Sequence, residues 1–348
     1  MSKCINFTFR SKPAEVTIDS LPDELLLHIF QFLMVDGVLQ CERVCRRWRK
    51  LATDTGLWRR TEVVCSGQHG QVCPKTIGII KSHSKIVSHL RMQYILKYPF
   101  LRSLTGLCKN LITLEMIMCR IQVELEEDLK KWPNLKKLNL KNSMLKSERP
   151  LLLPLDHFKH LTFLGLSDFG LTTENCDSLL HCNYLNHILI DKIRGLRLEY
   201  IKTLINTKQQ TLITLHIYGG DSVDDECLLM LAQCPMLRDL SITRCENLTD
   251  RALDGVSKIE PLTHLQLWNN NVFTEAKLKK TLAQVNLRKL RRLSLSRVEN
   301  VTGAIVDVIS EYYTNLKFLA LYQCPRIINT DYEKQLKAKF RNIQIVLY

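Results

Sequence analysis

The 348-residue chain contains no run of about 18 apolar residues, so no segment is suited to cross a bilayer as a helix. Glycine is scarce, 13 in all, and no glycine-rich phosphate loop occurs, which leaves little room for nucleotide chemistry. No serine or cysteine stands in a recognisable nucleophile motif. Residues Met1 to Arg10 lack a continuous apolar stretch, so no secretory leader is expected, and the last four residues hold no prenylatable cysteine. The 13 cysteines, without an export signal, are expected to be reduced thiols rather than a disulfide framework. Cys65 and Cys73 flank His69, but the spacing does not suit a paired zinc knuckle and no fourth ligand is evident. A loop with free thiols and no metal is expected there. Acidic residues are also in deficit, 35 against 49 Lys and Arg, giving a net charge of +14. That balance bears on solubility and on a preference for acidic partners, not on fold.

What is present is a repeat. The phrase apolar-x-x-apolar-x-apolar begins at Val87, Leu111, Leu135, Leu161, Leu185, Leu212, Leu237, Leu262, Leu290 and Leu316, at steps of 24 to 28 residues. A fixed period in this range indicates a leucine-rich solenoid. Within each phrase the last apolar pair alternates with a variable residue, which is strand periodicity with one buried face. Between phrases the period turns helical: Cys227, Leu228, Leu231 and Ala232 share a face, as do Leu278, Leu282 and Val285. Asp224, Thr249-Asp250 and Thr274 offer capping chemistry at the starts of such runs. The expected fold is α/β, a horseshoe of about ten repeats over residues 61–348, with a parallel sheet on its concave side and helices on the convex side. The alternating tail from Asn342 reads as a terminal cap.

Three residues after the last strand position stand Cys119, Cys245 and Cys324, where this repeat class places Asn or Cys to bond turn backbone, and Ser143 and Asn270 are polar there too. Phe169, Ile193, Gly220 and Val298 depart from the pattern.

Ahead of the repeats, at residues 17–60, lies an unrelated helical segment, preceded by a tail over 1–16. Pro22 suits the first turn of a helix, and Asp23 and Glu24 complement its positive end. Leu25, Ile29 and Leu33 line one face, Leu26 and Phe30 the next, and Leu27 and Phe32 widen the stripe beyond what a surface helix carries. After an expected turn at Asp36-Gly37, one further helix would put Cys41, Val44, Cys45, Trp48, Leu51 and Ala52 on one face and five basic residues on the other. A unit of about 45 residues cannot cover so much apolar surface alone and wants a partner.

Leu21-Pro22, Glu24-Leu25, Ile29-Phe30, Leu33, Val44-Cys45-Arg46-Arg47-Trp48 and Leu57-Trp58 resemble an F-box, and the whole chain resembles the F-box/leucine-rich-repeat proteins. The resemblance implies a non-catalytic subunit that docks on a Skp-type adaptor, which hangs from a cullin scaffold carrying a RING subunit, while the repeats hold a protein substrate for ubiquitin transfer and proteasomal degradation. It implies Leu21, Pro22, Leu25, Ile29, Phe30 and Leu33 as adaptor-facing, whereas Val44, Trp48, Leu57 and Trp58 fit either adaptor contact or internal packing. Met34-Val35-Asp36-Gly37 departs from the more polar loop of a typical F-box, which puts that loop's contacts in doubt. An interaction protein binding the adaptor outside a ligase is the alternative. No cofactor is implied, and the compartment is cytoplasmic, nuclear or both.

For the substrate, outward strand positions supply Tyr218, His264, Gln266, Trp268 and Tyr322, with Arg244 adding charge that would attract a phosphorylated segment. Lys137 and Arg297 add further charge, and Glu115, Asp168 and Asp191 interrupt it. The run Asn286 to Leu293 is strongly basic, but its leucines keep strand phase and aromatics are not interleaved, so a solvated rim is expected rather than a nucleic-acid tract.

Overall fold

The computed structural model describes residues 17–68, 71–72, 74–167, 173–191, 197–220, 222–341 and 343–347. The tail over 1–16 and His69, Cys73, Asp168, Phe169, Ile193, Asn342 and Tyr348 lie outside the described residues. The chain forms two compact units, Met1–Glu62 and Val63–Tyr348.

The first unit opens with a 3-10 turn at Ile18–Ser20 and four helices: α1 (Asp23–Phe30), α2 (Val35–Cys41), α3 (Arg46–Ala52) and α4 (Thr55–Trp58). Pro22 precedes α1 with φ −59°, and Leu26 and Phe30, one turn apart, are its buried residues. Asp54 caps α4 by accepting from the Gly56 and Leu57 amides at 2.7 and 3.3 Å. The Trp58 indole donates to the Ala52 carbonyl at 2.7 Å, tying α4 to α3. Arg47 ties α3 to the chain entering α1: its guanidinium donates to the Asp23 carboxylate and to the Asp19 and Leu21 carbonyls at 2.5–2.7 Å.

Two expectations for this unit are corrected. Asp36-Gly37 is no turn but lies inside α2, where a Cβ at Gly37 would sit 3.1 Å from Leu33 Cβ. The single helix expected after it is two, interrupted between Glu42 and Cys45, because Cys45 is the extended N-cap of α3 and its sulfur accepts from the Trp48 amide at 3.4 Å. Cys41 is a buried thiol, but Cys45, expected in the core, is exposed.

The second unit holds, in chain order, β1 (Glu62–Gln68, whose first residue closes the other unit), β2 (Gln71–Val72), β3 (His89–Gln93), β4 (Thr113–Ile117), β5 (Arg120–Ile121), β6 (Lys137–Asn139), β7 (Met144–Leu145) and β8 (Phe163–Ser167). It continues with β9 (His187–Asp191), β10 (Thr214–Gly220), β11 (Asp239–Cys245), β12 (His264–Trp268), β13 (Arg292–Ser294), β14 (Phe318–Ala320) and β15 (Gln344–Val346). All but β5 and β7, which pair with each other, form one sheet, ordered as in the chain from β3 to β15, with β1 beside β3 and β2 outside β1 at the edge. From β3 to β15 neighbours are parallel and in repeat register, so Leu215, Leu240, Leu265, Leu293 and Leu319 stack in one buried column. The tail strand β15 pairs with β14 and continues the sheet. Helices cross between strands, and their apolar faces, such as Cys227, Leu228 and Leu231 of Asp225–Leu231, are buried. No helix among the described residues is long and apolar enough to cross a membrane.

The segment from Cys65 is a strand, not a loop: β1 joins the sheet beside β3 and pairs antiparallel with β2, and Cys65 is fully buried. The basic run also differs. Val285–Lys289 is a 3-10 helix with Leu287 buried, so Leu287 is out of strand phase, and Arg288 stacks over Tyr312 at 4.1 Å.

A turn signature recurs at each described repeat. The residue two positions after the last strand apolar is left-handed: Tyr94, Met118, Asn142, Gly219, Arg244, Asn269, Arg297 and Gln323 have φ from 53° to 91°. Asn and Gly suit this conformation; Tyr, Met, Gln and Arg adopt it at a cost of about 1–2 kcal/mol each. The left-handed residue lies just past the strand or, at Gly219 and Arg244, one residue before its end, and the side chain after it begins a hydrogen-bond ladder. Ser143 donates to the Met116 carbonyl at 2.7 Å and accepts the Cys119 amide at 2.9 Å. Asn270 does the same to Ile242 and Cys245 at 2.8 and 3.0 Å. The Cys119 and Cys324 thiols donate to the carbonyls of Met92 and Leu295 in the preceding repeats at 3.4 and 3.2 Å. Burial pushes the Cys119 and Cys245 thiols up to about 11 and about 12, so they stay protonated at neutral pH. All eleven described cysteines are free.

Candidate functional site

Two surfaces stand out, one on each unit. On the first, helix periodicity sends Leu26 and Phe30 inward and leaves their neighbours outside. Leu25 is 50% exposed, Val44 59%, Phe32 78% and Met34 86%, and Ile29 and Leu33 are also exposed. Pro22 is exposed and Leu21 half-buried, its carbonyl held by Arg47. Uncompensated apolar area of this kind, on a unit this small, marks an association surface. Phe30 is a correction: it is 1% exposed and its ring meets Trp48 edge-on, centroids 5.1 Å apart, so it packs internally. Leu57 and Trp58 are buried as well, and Trp48 is half-buried against Phe30. Phe32 and Met34 were not among the site residues expected from sequence. The signal was the excess width of the apolar stripe.

On the second unit the register aligns the outward side chains in rows. One row runs Lys137, Phe163, His187, Thr214, Asp239, His264, Arg292, Phe318. The next holds His216, Ser241, Gln266 and Ser294, and a third Tyr218, Thr243 and Trp268. His216 Nε2 lies 2.9 Å from Asp239 Oδ1, and His187 and Thr214 share a 2.8 Å hydrogen bond. Burial would raise the Asp239 carboxyl, but the His216 hydrogen bond and the charges of His216, His264 and Arg292 hold it below the usual range. Burial depresses His264 and His187, which Asp239 only partly offsets.

The structure joins Trp268 and Tyr322 through Arg297, expected only to add charge to this surface: its guanidinium lies 5.8 Å from the Trp268 ring and 5.9 Å from that of Tyr322. Its Nε donates to Gln323 at 2.6 Å. The Trp268 indole N–H is buried with no acceptor among the described residues. Gln266 and Tyr218 are half-buried, and Arg244 is exposed on its left-handed turn without a carboxylate partner among the described residues. Glu115 does not interrupt the positive charge as expected. It is buried, ion-paired to Lys137 and to Arg91 (3.4 Å), and bonded by Asn139 at 3.3 Å. Burial works to raise its carboxyl, but those two cations outweigh it and lower it. Among the described residues no group of His, Cys, Asp and Glu could hold a metal.

Residues 18–62 match the F-box-like family model. The chain is an F-box-like domain followed by a leucine-rich-repeat solenoid. Human F-box/LRR-repeat protein 12 is 43% identical over 47 residues, 14% of this chain and only 14% of that protein's length. The mouse protein of the same name is 25% identical over 244 residues, covering 70% of this chain and 68% of that one. Among solved structures, the yeast Rad7 and Elc1 complex provides a similar fold: TM-score 0.57 and 14% identity, covering 94% of this chain and 93% of that one.

Proposed function

We propose that this chain is the substrate receptor of a Skp-cullin-F-box ubiquitin ligase. The observation that carries the reading is the apolar patch of Leu25, Ile29, Phe32, Leu33, Met34 and Val44, left uncovered on an F-box-like domain. A Skp-type adaptor covers that patch, and through the adaptor come the cullin scaffold and RING subunit. The described fold relative in yeast was solved in a complex with Elc1, which supports a partner-bound role for such a chain. The rows around His264, Gln266, Trp268, Tyr218, Tyr322 and Arg244 take the protein substrate. The receptor itself carries no chemistry: it raises the effective concentration of a substrate lysine near a charged conjugating enzyme. Cytoplasm and nucleus both suit this role.

The test is adaptor capture by chains carrying Leu25→Asp with Ile29→Asp. Both side chains are exposed, so the fold is retained by circular dichroism while capture falls at least tenfold. Capture at the parent level by the folded variant refutes the placement of the contact.

A further inference from the structure

The register carries Trp268, Ser296 and Tyr322 into one row across three repeats, two residues beyond the pairs of Gln266 with Ser294 and Ser294 with Ala320. At roughly 4.8 Å between strands, the two aromatic backbones are about 10 Å apart. Ser296 between them is small and buried, and its hydroxyl accepts the Tyr322 amide at 3.2 Å, so the gap between the rings falls to the next side chain, Arg297. The Arg297 guanidinium stands in that gap, 5.8 Å from one ring and 5.9 Å from the other. Its Nε donates to Gln323 at 2.6 Å, and its two terminal nitrogens have no partner among the described residues. The residue is exposed, and its backbone is left-handed at φ 55°, a conformation that Asn269 adopts at little cost in the neighbouring repeat. A strained arginine held by two rings and a side-chain amide, yet paired with no carboxylate, is oriented for a group outside the chain.

We infer that Arg297, held between Trp268 and Tyr322, binds a carboxylate of the protein substrate, either its C-terminus or an aspartate or glutamate side chain. The inference rests on the substrate-receptor reading and names the group that is bound. The free pair of terminal nitrogens forms one fork, which matches the two oxygens of a carboxylate. Because the rings and Gln323 fix the guanidinium in advance, less side-chain freedom is lost on binding. A phosphomonoester has three oxygens and a charge of about −1.5 to −2, and it calls for a second cation. The flanking turn positions, Asn269 and Gln323, are uncharged, and Glu299, two residues on, is an exposed carboxylate bonded to Asn271 at 3.2 Å. The place therefore takes a single negative charge.

The test measures binding of the intact chain to four fluorescent octapeptide pools, randomised without Asp or Glu. The first has a free C-terminus. The others end in an amide and carry a central glutamate, glutamine or phosphoserine. The free-terminus pool or the glutamate pool is expected to bind at least tenfold more tightly than the glutamine pool, and which of the two does so identifies the source of the carboxylate. Arg297→Asn, which suits the left-handed turn and removes the guanidinium, abolishes that preference. Arg297→Lys keeps the charge but loses most of it, and Arg326→Ala, an exposed arginine elsewhere on the chain, leaves it intact. Equal binding of the glutamine pool and both carboxylate pools, an undiminished preference in the Arg297→Asn chain, or tighter binding of the phosphoserine pool than of either carboxylate pool overturns the inference. Adaptor capture is measured on the same preparations. A chain that captures adaptor but shows no carboxylate preference refutes the Arg297 assignment alone, whereas a folded chain that captures no adaptor refutes the substrate-receptor reading itself.

Discussion

Asn270→Ala isolates the ladder that joins one repeat to the next. Asn270 is buried, its amide nitrogen donates to the Ile242 carbonyl at 2.8 Å, and its oxygen accepts the Cys245 amide at 3.0 Å. Alanine leaves one backbone acceptor and one backbone donor buried without partners. Each such group costs about 1–3 kcal/mol, so the expected destabilisation is about 2–6 kcal/mol. Because each repeat touches only its neighbours, the loss is concentrated between the repeats of β11 and β12. Urea unfolding by circular dichroism gives the global value, and amide exchange at Cys245 gives the local one, with protection there falling by roughly thirtyfold or more for a loss above about 2 kcal/mol. Asn271→Ala is the control: Asn271 also bonds forward, to Glu299, but at an exposed site, where the loss stays below about 1 kcal/mol. Asn270→Cys recovers part of the loss, since thiols at the equivalent positions of other repeats donate to the same kind of carbonyl. Equal effects of the two alanine substitutions would refute the ladder as a source of stability.

Asp128 is buried and accepts from the Tyr98 hydroxyl at 3.2 Å and from Arg102 at 2.9 Å, so Asp128→Ala is expected to cost about 1–3 kcal/mol by stranding the phenol. The cost shrinks in a Tyr98→Phe background, and additive losses in the double-mutant cycle would contradict this. Stability also depends on pH with a defined sign. His187 and His264 have folded values depressed chiefly by burial, so the unfolded chain binds protons more readily. Their contribution is fully present above the unfolded value of about 6.5 and is lost as pH falls toward and through the lower folded values. Unfolding midpoints are expected to drop between pH 7 and pH 5, and His187→Gln with His264→Gln flattens that slope; an unchanged slope in the double variant argues against burial as the cause.

The solenoid was legible because its signal is redundant: the same three apolar positions recur in every repeat, and one degenerate copy does not obscure the rest. Helix starts were legible where an oxygen caps locally, as at Asp224 and Thr274, whose side chains accept from Cys227 and Lys277. Thr249-Asp250 looked the same but serve neighbouring repeats instead. Thr249 donates to Asp225, and Asp250 accepts from Thr274, so the helix begins only at Ala252. Such contacts over 24 residues have no local signature. The left-handed turn was visible only through Asn142, Gly219 and Asn269, because repeat packing forces Tyr94, Met118 and Arg244 into a conformation their own propensities oppose. The strand β1 carries no full phrase, so its place at the sheet edge came from pairing rather than pattern. In the F-box-like domain, the choice of which apolar face turns inward could not be made from a stripe covering most of the helix. Phe30 went to the core beside Trp48, and Phe32 stayed outside.

The most direct measurement is size-exclusion chromatography of the intact chain mixed with a Skp-type adaptor and a cullin, with each component quantified in the eluted peak. Co-elution of all three at equal stoichiometry, lost in the Leu25→Asp, Ile29→Asp chain, is the expected result. A folded, monodisperse chain that elutes apart from the adaptor, or that takes adaptor while leaving cullin behind, contradicts the ligase assignment.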